Sequence, residues 1–448
     1  MNIRMVNTSS PAAPPRTART FALWCLAVAA LATALNVRSP RMEVNFYDGR
    51  FFYVAAQSFI ARESPYDLER YRARLRDIAE RYPDAGAELR AEIESYAYPP
   101  ASLIVFAPLA LLDYPLAREL LTLLNVLLMP AAALMLVLFF DGAIAGRQRA
   151  LTIAALFAGL LHFSFPTTLV LGQCDIAMLV ALAATLLALQ SRSPVLFAAC
   201  GAIALIKPQL ALIPILALIV RERAWRAGLI LAAAVVLSNL LAALLIYHPG
   251  LAREMLEAVI RNRGLEYNQP ATSHGGLLLG ARSSLFAAAN LLLIPAGVIA
   301  VLLAAWQRDR YPKHTALVAS ILLALYALPL HYYDFVLLLA ALLGCLTIGV
   351  RLAAPLIVLA IFIDRPAVTQ AMLSTLPSAP WLTHQTLHAI YVLIAYVAVQ
   401  GYVFFRYSRT PPSTGGSATA WPAEVARTAK PSELQRSTHA RGSSQVSA

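Results

Sequence analysis

The feature that most limits how this chain can fold is a recurrence of long apolar runs. Gly228–Ile246 and Leu285–Ala305 are two of them, each long enough to cross a hydrocarbon core of roughly 30 Å as a helix. Inside lipid every backbone N–H and C=O must find a partner within the protein, which leaves helices as the economical way to bury so many runs. Charged residues supply 13% of the chain and hydrophobic ones 59%, against about 25% charged in an average soluble protein. A water-soluble fold of 448 residues could not hide that much apolar surface. The expected class is an all-α integral membrane protein.

The net charge of +12 is not a nucleic-acid signal, because its arginines sit in short loops between apolar runs and in the tail, where they report orientation. Arg147, Arg149, Arg192, Arg221–Arg226, Arg308–Lys313, Arg351 and the tail from Arg406 are expected in the cytoplasm. Residues 1–19 then form a cytoplasmic N-terminal segment, 20–405 the transmembrane domain, and 406–448 a Ser-, Thr- and Pro-rich cytoplasmic tail expected to be disordered. Phe21–Leu35 follows Arg4, Arg16 and Arg19 as a signal peptide would, but many spans follow it and it reads as an uncleaved first span. The four cysteines show no disulfide or zinc spacing and read as core filling.

The first span, 20–37, delivers residues 38–114 to the outside, including the charged stretch Arg62–Glu94. Were Pro99–Leu112 a second full span, Arg147 and Arg149 would land outside; short as it is, it reads as a helix along the outer interface. Further spans follow near 115–139, 150–166, 173–190, 194–206, 208–220, 227–247, 283–305, 315–331, 334–350, 352–363 and 385–405, about twelve in all. Two short helices meeting at Lys207-Pro208 keep Arg192 and Arg221 on one side, since proline breaks the helical ladder there.

With this topology nearly every unusual polar residue gathers at the outer face. Asp48, among aromatics in Asn45–Tyr53, is a candidate general base, while on local sequence alone its Asp-Gly pair better suits a solvated turn. Lys207 costs about 2.5–3.5 kcal/mol at mid-membrane on insertion scales; near the outer face its ammonium could meet a phosphate or snorkel to headgroups. His331, Tyr333 and Asp334 could contact a sugar or orient the base, or simply stabilise a helix start. Gln173 and Asp175 at one outward turn, and Asn268 and Gln269 in an outward loop, suit sugar hydroxyls or loop capping. Arg50 and Arg282 are candidate phosphate contacts, or interfacial anchors.

Taken in order, these residues resemble family 87 of the glycosyltransferases, a branch of the GT-C superfamily, along nearly the whole chain to about residue 405. The likeness rests on Asp48 with Tyr53-Val-Ala-Ala56, Ser64-Pro65-Tyr66, Tyr98-Pro99-Pro100, Gly172-Gln173, Lys207-Pro208, Asn268-Gln269 and Tyr333-Asp334. The resemblance implies a GT-C-type bundle of about twelve transmembrane helices, with a catalytic first outer loop carrying interfacial helices. It implies a polyprenyl-phosphate sugar donor, often mannose, and transfer with inversion to a hydroxyl of a lipid or glycan, with Asp48 as catalytic base and Tyr53 and Tyr98 among the substrate-binding residues. It implies no cofactor and no metal, an inner (plasma) membrane location and an active site on the periplasmic side. Cys174-Asp175 and Pro270 depart from the family pattern and bear on the choice of acceptor and sugar. A secondary transporter and a non-catalytic envelope protein that binds lipid-linked glycan are the other classes compatible with such a chain; the absence of half-to-half similarity weighs against the transporter.

Overall fold

The computed structural model describes residues 16–37, 46–83, 89, 96–141, 148–263, 284–328, 331–363 and 384–409. Every regular element among them is helical. The chain divides into two units, Met1–Tyr407 and Ser408–Ala448, and the helices belong almost entirely to the first. Among the described residues, six helical stretches are long and apolar enough to cross a bilayer: Thr20–Val37, Tyr114–Phe140, Arg149–Leu171, Trp225–Leu245, Ala288–Trp306 and Leu387–Arg409. Shorter apolar helices lie between them, among them Asp175–Gln190, Pro194–Ala204, Thr315–Ala327 and Val350–Ile363. The protein is a helical membrane protein.

In chain order, α1 (Arg16–Val37) leads to α2 (Gly49–Ile60) and α3 (Leu68–Arg81). The segment expected along the interface forms α4 (Ala101–Phe106) and a 3-10 turn (Ala107–Leu111), short of a full crossing. Then come α5 (Tyr114–Asp141), α6 (Arg149–Leu160), α7 (Ser164–Leu171) and α8 (Asp175–Gln190). The two short helices expected around Lys207-Pro208 are α9 (Pro194–Ala204) and α10 (Pro208–Glu222), each opened by a proline whose missing N–H costs nothing in the first turn. The remainder is α11 (Trp225–Leu245), α12 (Leu251–Arg263), α13 (Ser284–Trp306), α14 (Thr315–Ala327), a 3-10 turn (Tyr332–Val336), α15 (Leu337–Ile348), α16 (Val350–Ile363) and α17 (His384–Arg409).

The core is built around α14 and α15, which are buried along nearly their whole length. Small residues let them approach: a Cβ on Gly344 of α15 would stand 2.3 Å from Val318 Cγ2 of α14. α8 packs between α5 and α9, α9 rests on α11, and α6 lies against α15 and α16. Prolines 130, 214, 295 and 355 sit inside helices, which bundles in lipid tolerate because neighbouring groups re-satisfy the backbone.

At the end of α10 a buried arginine closes the helix ends around it. Arg221 Nη1 donates to the Ala304 carbonyl at 2.6 Å, and Nη2 donates to those of Arg308 and Tyr311 at 3.2 and 3.1 Å. These carbonyls belong to the last turn of α13 and the loop after it, where no intrahelical donor remains. Replacing Arg221 with Met should lower stability by about 1.5–3 kcal/mol, the worth of charge-assisted hydrogen bonds. Unfolding in mixed micelles would measure this, and an unchanged midpoint would show that the cap is dispensable.

Candidate active site

The site forms where the start of α2, the turn between α7 and α8, the start of α10 and the 332–336 turn meet. α7 ends in a left-handed Gly172 (φ 70°), and the Gln173 N–H returns to the Thr168 carbonyl at 3.0 Å. Two carbonyls at this helix end are capped from far away in sequence. The Phe46 N–H donates to Val170 and the Asp48 N–H to Leu171, both at 2.9 Å. The Phe46 ring is fully buried and fills the space between two glycines. A Cβ on Gly172 would lie 2.2 Å from that ring and one on Gly49 2.4 Å, so the Asp48-Gly49 and Gly172-Gln173 pairs fit together only without side chains there.

This clamp brings Asp48 against Gln173. Gln173 Nε2 donates to Asp48 Oδ2 at 3.0 Å, while Gln173 Oε1 accepts from the Tyr98 hydroxyl at 3.3 Å. The Gln173 carbonyl accepts from Asn125 Nδ2 of α5 at 2.8 Å, fixing the main chain behind the amide. The Asp48 side chain remains partly open to solvent. Burial pushes its carboxyl above the ordinary range, against the Gln173 hydrogen bond and the nearby Lys207, His331 and Arg50, which pull it down. Burial raises the Tyr98 phenol well above its usual value and lowers His331, which Lys207 lowers further and Asp334 and Asp48 oppose.

Two residues beyond Gln173 stands a buried ion cluster. Lys207 Nζ lies 2.6 Å from Asp175 Oδ1 and 3.2 Å from Asp334 Oδ1, with all three side chains at most 1% exposed. Asp175 opens α8 and Asp334 lies in the first turn of the 332–336 helix, positions where the helix field favours a carboxylate. The other Asp334 oxygen accepts from the His331 N–H at 2.8 Å and so fixes the His331 backbone.

The sequence candidates sort as follows. Asp48, Tyr98, Gln173, Asp175, Lys207, His331 and Asp334 come together. The Lys207 ammonium is committed to two carboxylates. Arg50 is fully buried in the first turn of α2, its guanidinium 4.1 Å from the Tyr47 ring centroid. Tyr53 is a packing residue here: its hydroxyl donates to the Leu112 carbonyl at 2.9 Å and its ring meets Tyr114 edge-on. Tyr333 belongs to the 332–336 turn by its backbone, its side chain lying outside the described residues, as do Asn268, Gln269 and Arg282 altogether. Sequence reading missed Asn125 and Phe46. A lone amide in the apolar run of α5 was the available signal for Asn125, since polar groups inside spans are costly without a role; nothing marked Phe46.

A helical membrane bundle in which a carboxylate, an amide and a phenol are joined by hydrogen bonds defines the class, a membrane protein with a polar cluster among its helices. Residues 96–330 match Glycosyltransferase family 87, more than half of the 448-residue chain, and the protein belongs to that family. It is a glycosyltransferase. Neither a curated protein nor a solved structure matches it. The matched segment holds Tyr98, Gln173, Asp175 and Lys207, while Asp48 and Asp334 lie outside it and are tied to it by hydrogen bonds.

Substituting Lys207 with Met would leave two buried carboxylates facing each other and should cost about 3–5 kcal/mol, as removing one partner from a buried ion pair does. Adding Asp175→Asn and Asp334→Asn should recover most of that loss. Thermal unfolding in detergent compares the single and triple variants; equal midpoints for wild type and Lys207→Met would rule out a stabilising cluster.

Proposed function

We propose that this glycosyltransferase moves a hexose, with mannose the first candidate, from a polyprenyl-phosphate donor to a hydroxyl of a lipid or glycan acceptor, with inversion. Asp48 is the general base. The observation that carries this reading is its placement: a partly open, desolvated carboxylate with Oδ2 on Gln173 and no side chain on Oδ1 among the described residues. As the acceptor oxygen bonds to the anomeric carbon, its proton passes to Asp48 while the bond from carbon to phosphate oxygen breaks. The leaving group departs as the polyprenyl phosphate.

An anionic leaving group suits this end of the bundle. The starts of α2, α8 and α10 are linked through Asp48–Gln173 and Asp175–Lys207, and their dipoles bias the region positive. Arg50, in the first turn of α2, is the cation assigned to the phosphate, together with Arg282; Lys207 acts by holding α8, α10 and the His331 turn in register. His331, Asn268, Gln269 and Tyr333 are assigned to the sugar. The reading includes a GT-C-type bundle of about twelve spans, with 38–114 and the Asp48 site on the periplasmic side of the inner membrane and both termini inside, an orientation that the arginine distribution supports. No metal or other cofactor is assigned.

Two measurements test it. Offered a panel of polyprenyl-phosphate sugars in proteoliposomes, the wild type should transfer one of them, and Asp48→Asn should lose about 10²–10⁴ of the rate. Full retention of transfer by Asp48→Asn would sink the assignment. Because the base must be ionised, wild-type activity should fall on the acid side at a pH above the usual carboxylate value of about 3.9. Gln173→Leu removes a hydrogen bond that favours the charged form, so its acid limb should move to still higher pH with little change in acceptor KM. A raised KM with the limb unmoved would make Gln173 a substrate contact instead of the residue that positions Asp48.

A further inference from the structure

α12 follows the long α11 after the turn His248-Pro249-Gly250, and its thirteen residues carry three distinct faces. At 100° per residue, Leu251, Met255, Ala258 and Asn262 share one face, and all four are buried or half-buried. Next around the helix come Leu256, Val259 and Ile260, exposed by 55%, 38% and 63%. The third face holds Arg253, Glu254, Glu257 and Arg261, and Arg263, the last residue of the helix, ends the apolar stripe at its C-terminal turn. A helix docked on protein by one face needs only one apolar stripe; this one has a second.

We infer that α12 lies in the plane of the membrane surface, with Leu256, Val259 and Ile260 sunk among lipid acyl chains and its charged face turned away from them. The exposed flank of α11 supports lipid as the occupant. α11 keeps only Ala227, Leu231 and Ala242 buried, and Leu240, Leu241 and Leu244 present an apolar surface that ends where α12 begins. α12 is too short and too charged to cross on its own, and an apolar stripe beside a charged one is the composition of an interfacial helix.

The charged face has partners in the stretch that follows α2. Glu254 accepts from the Ser64 hydroxyl and its other oxygen lies 2.8 Å from His248 Nε2. Arg261 Nη2 donates to the Tyr66 carbonyl at 3.0 Å, and Tyr66 in turn donates to the Tyr98 carbonyl at 2.6 Å. Arg62 lies over the Tyr247 ring, 5.0 Å from its centroid. α12 is therefore a strap that sets the depth of the segment carrying α2 relative to the bilayer surface. The inference stands whether or not Asp48 is the base.

Spin labels test it in the full-length protein reconstituted in phosphatidylcholine–phosphatidylglycerol liposomes. Leu256→Cys, Ile260→Cys and Glu257→Cys would each be labelled in a Cys200→Ala background, the other three cysteines being buried. At 256 and 260 collisions with oxygen should exceed those with a water-soluble nickel chelate several-fold, and at 257 the order should reverse. Chelate access at 256 and 260 equal to that at 257 would place the stripe in water and overturn the inference. Protection of 256 and 260 from both reagents would overturn it too, since a second copy or another protein would then cover the stripe.

Discussion

The arrangement of this site depends on how one ammonium group is neutralised. Lys207 ends a run of apolar helix with its charge wholly inside the protein, and the effective cost of burying an ion is several kcal/mol unless it is paired in good geometry. Its partners come from 32 residues upstream and 127 downstream. Neither α8, α10 nor the 332–336 turn can move away without exposing an unpaired charge to a medium that cannot solvate it. A contact of this kind adds little net stability beyond an apolar substitute, but it permits only one register. It pins one end of a bundle whose apolar contacts alone would tolerate sliding.

Three aspartates at that end are divided by their partners. Asp175 and Asp334 face an ammonium and are sealed from water, so their charge is spent on architecture. Asp48 faces a neutral amide, is partly open and is destabilised as an anion by burial. An acceptor hydroxyl has no path to the two sealed carboxylates, whereas the one held by an amide is oriented and open on one side. The proposed division of labour follows from that difference. Tyr98 and Asn125 extend it by fixing which way the Gln173 amide points and where its backbone lies.

Much of this was legible in the sequence, and the limits have physical causes. Apolar runs fixed the helical membrane class, and a proline after a lone lysine marked the break between α9 and α10. Polar residues between or beside apolar runs pointed to Asp48, Gln173, Asp175, Lys207 and Asp334. What sequence could not supply was the pairing. Lys207 next to a proline reads the same whether its charge meets a phosphate or two carboxylates, since the carboxylates arrive from other helices. Tyr53 shows the reverse: an aromatic beside the candidate base suggested a ligand contact, yet its hydroxyl serves the carbonyl of Leu112, which ends the 3-10 turn after α4. Phe46 carried no signal because its task is steric, filling the gap that two glycines leave.

The reach of the family match adds a structural point. It begins at Tyr96 and ends at 330, so it contains the amide and the lysine but neither Asp48 nor Asp334. The part of the chain before it packs on the matched segment, α1 against α5 and α6 and α2 against α4 and the 3-10 turn after it, and a few directed contacts fix its register. The Phe46 and Asp48 amides cap α7, and the Tyr66 hydroxyl holds the Tyr98 carbonyl. The caps set where the Asp48 main chain lies, and the Phe46 ring between Gly49 and Gly172 fixes the fit, so the carboxylate is presented at one point. The geometry of the proposed base then lies in the matched segment, and its chemistry in the residue that segment receives.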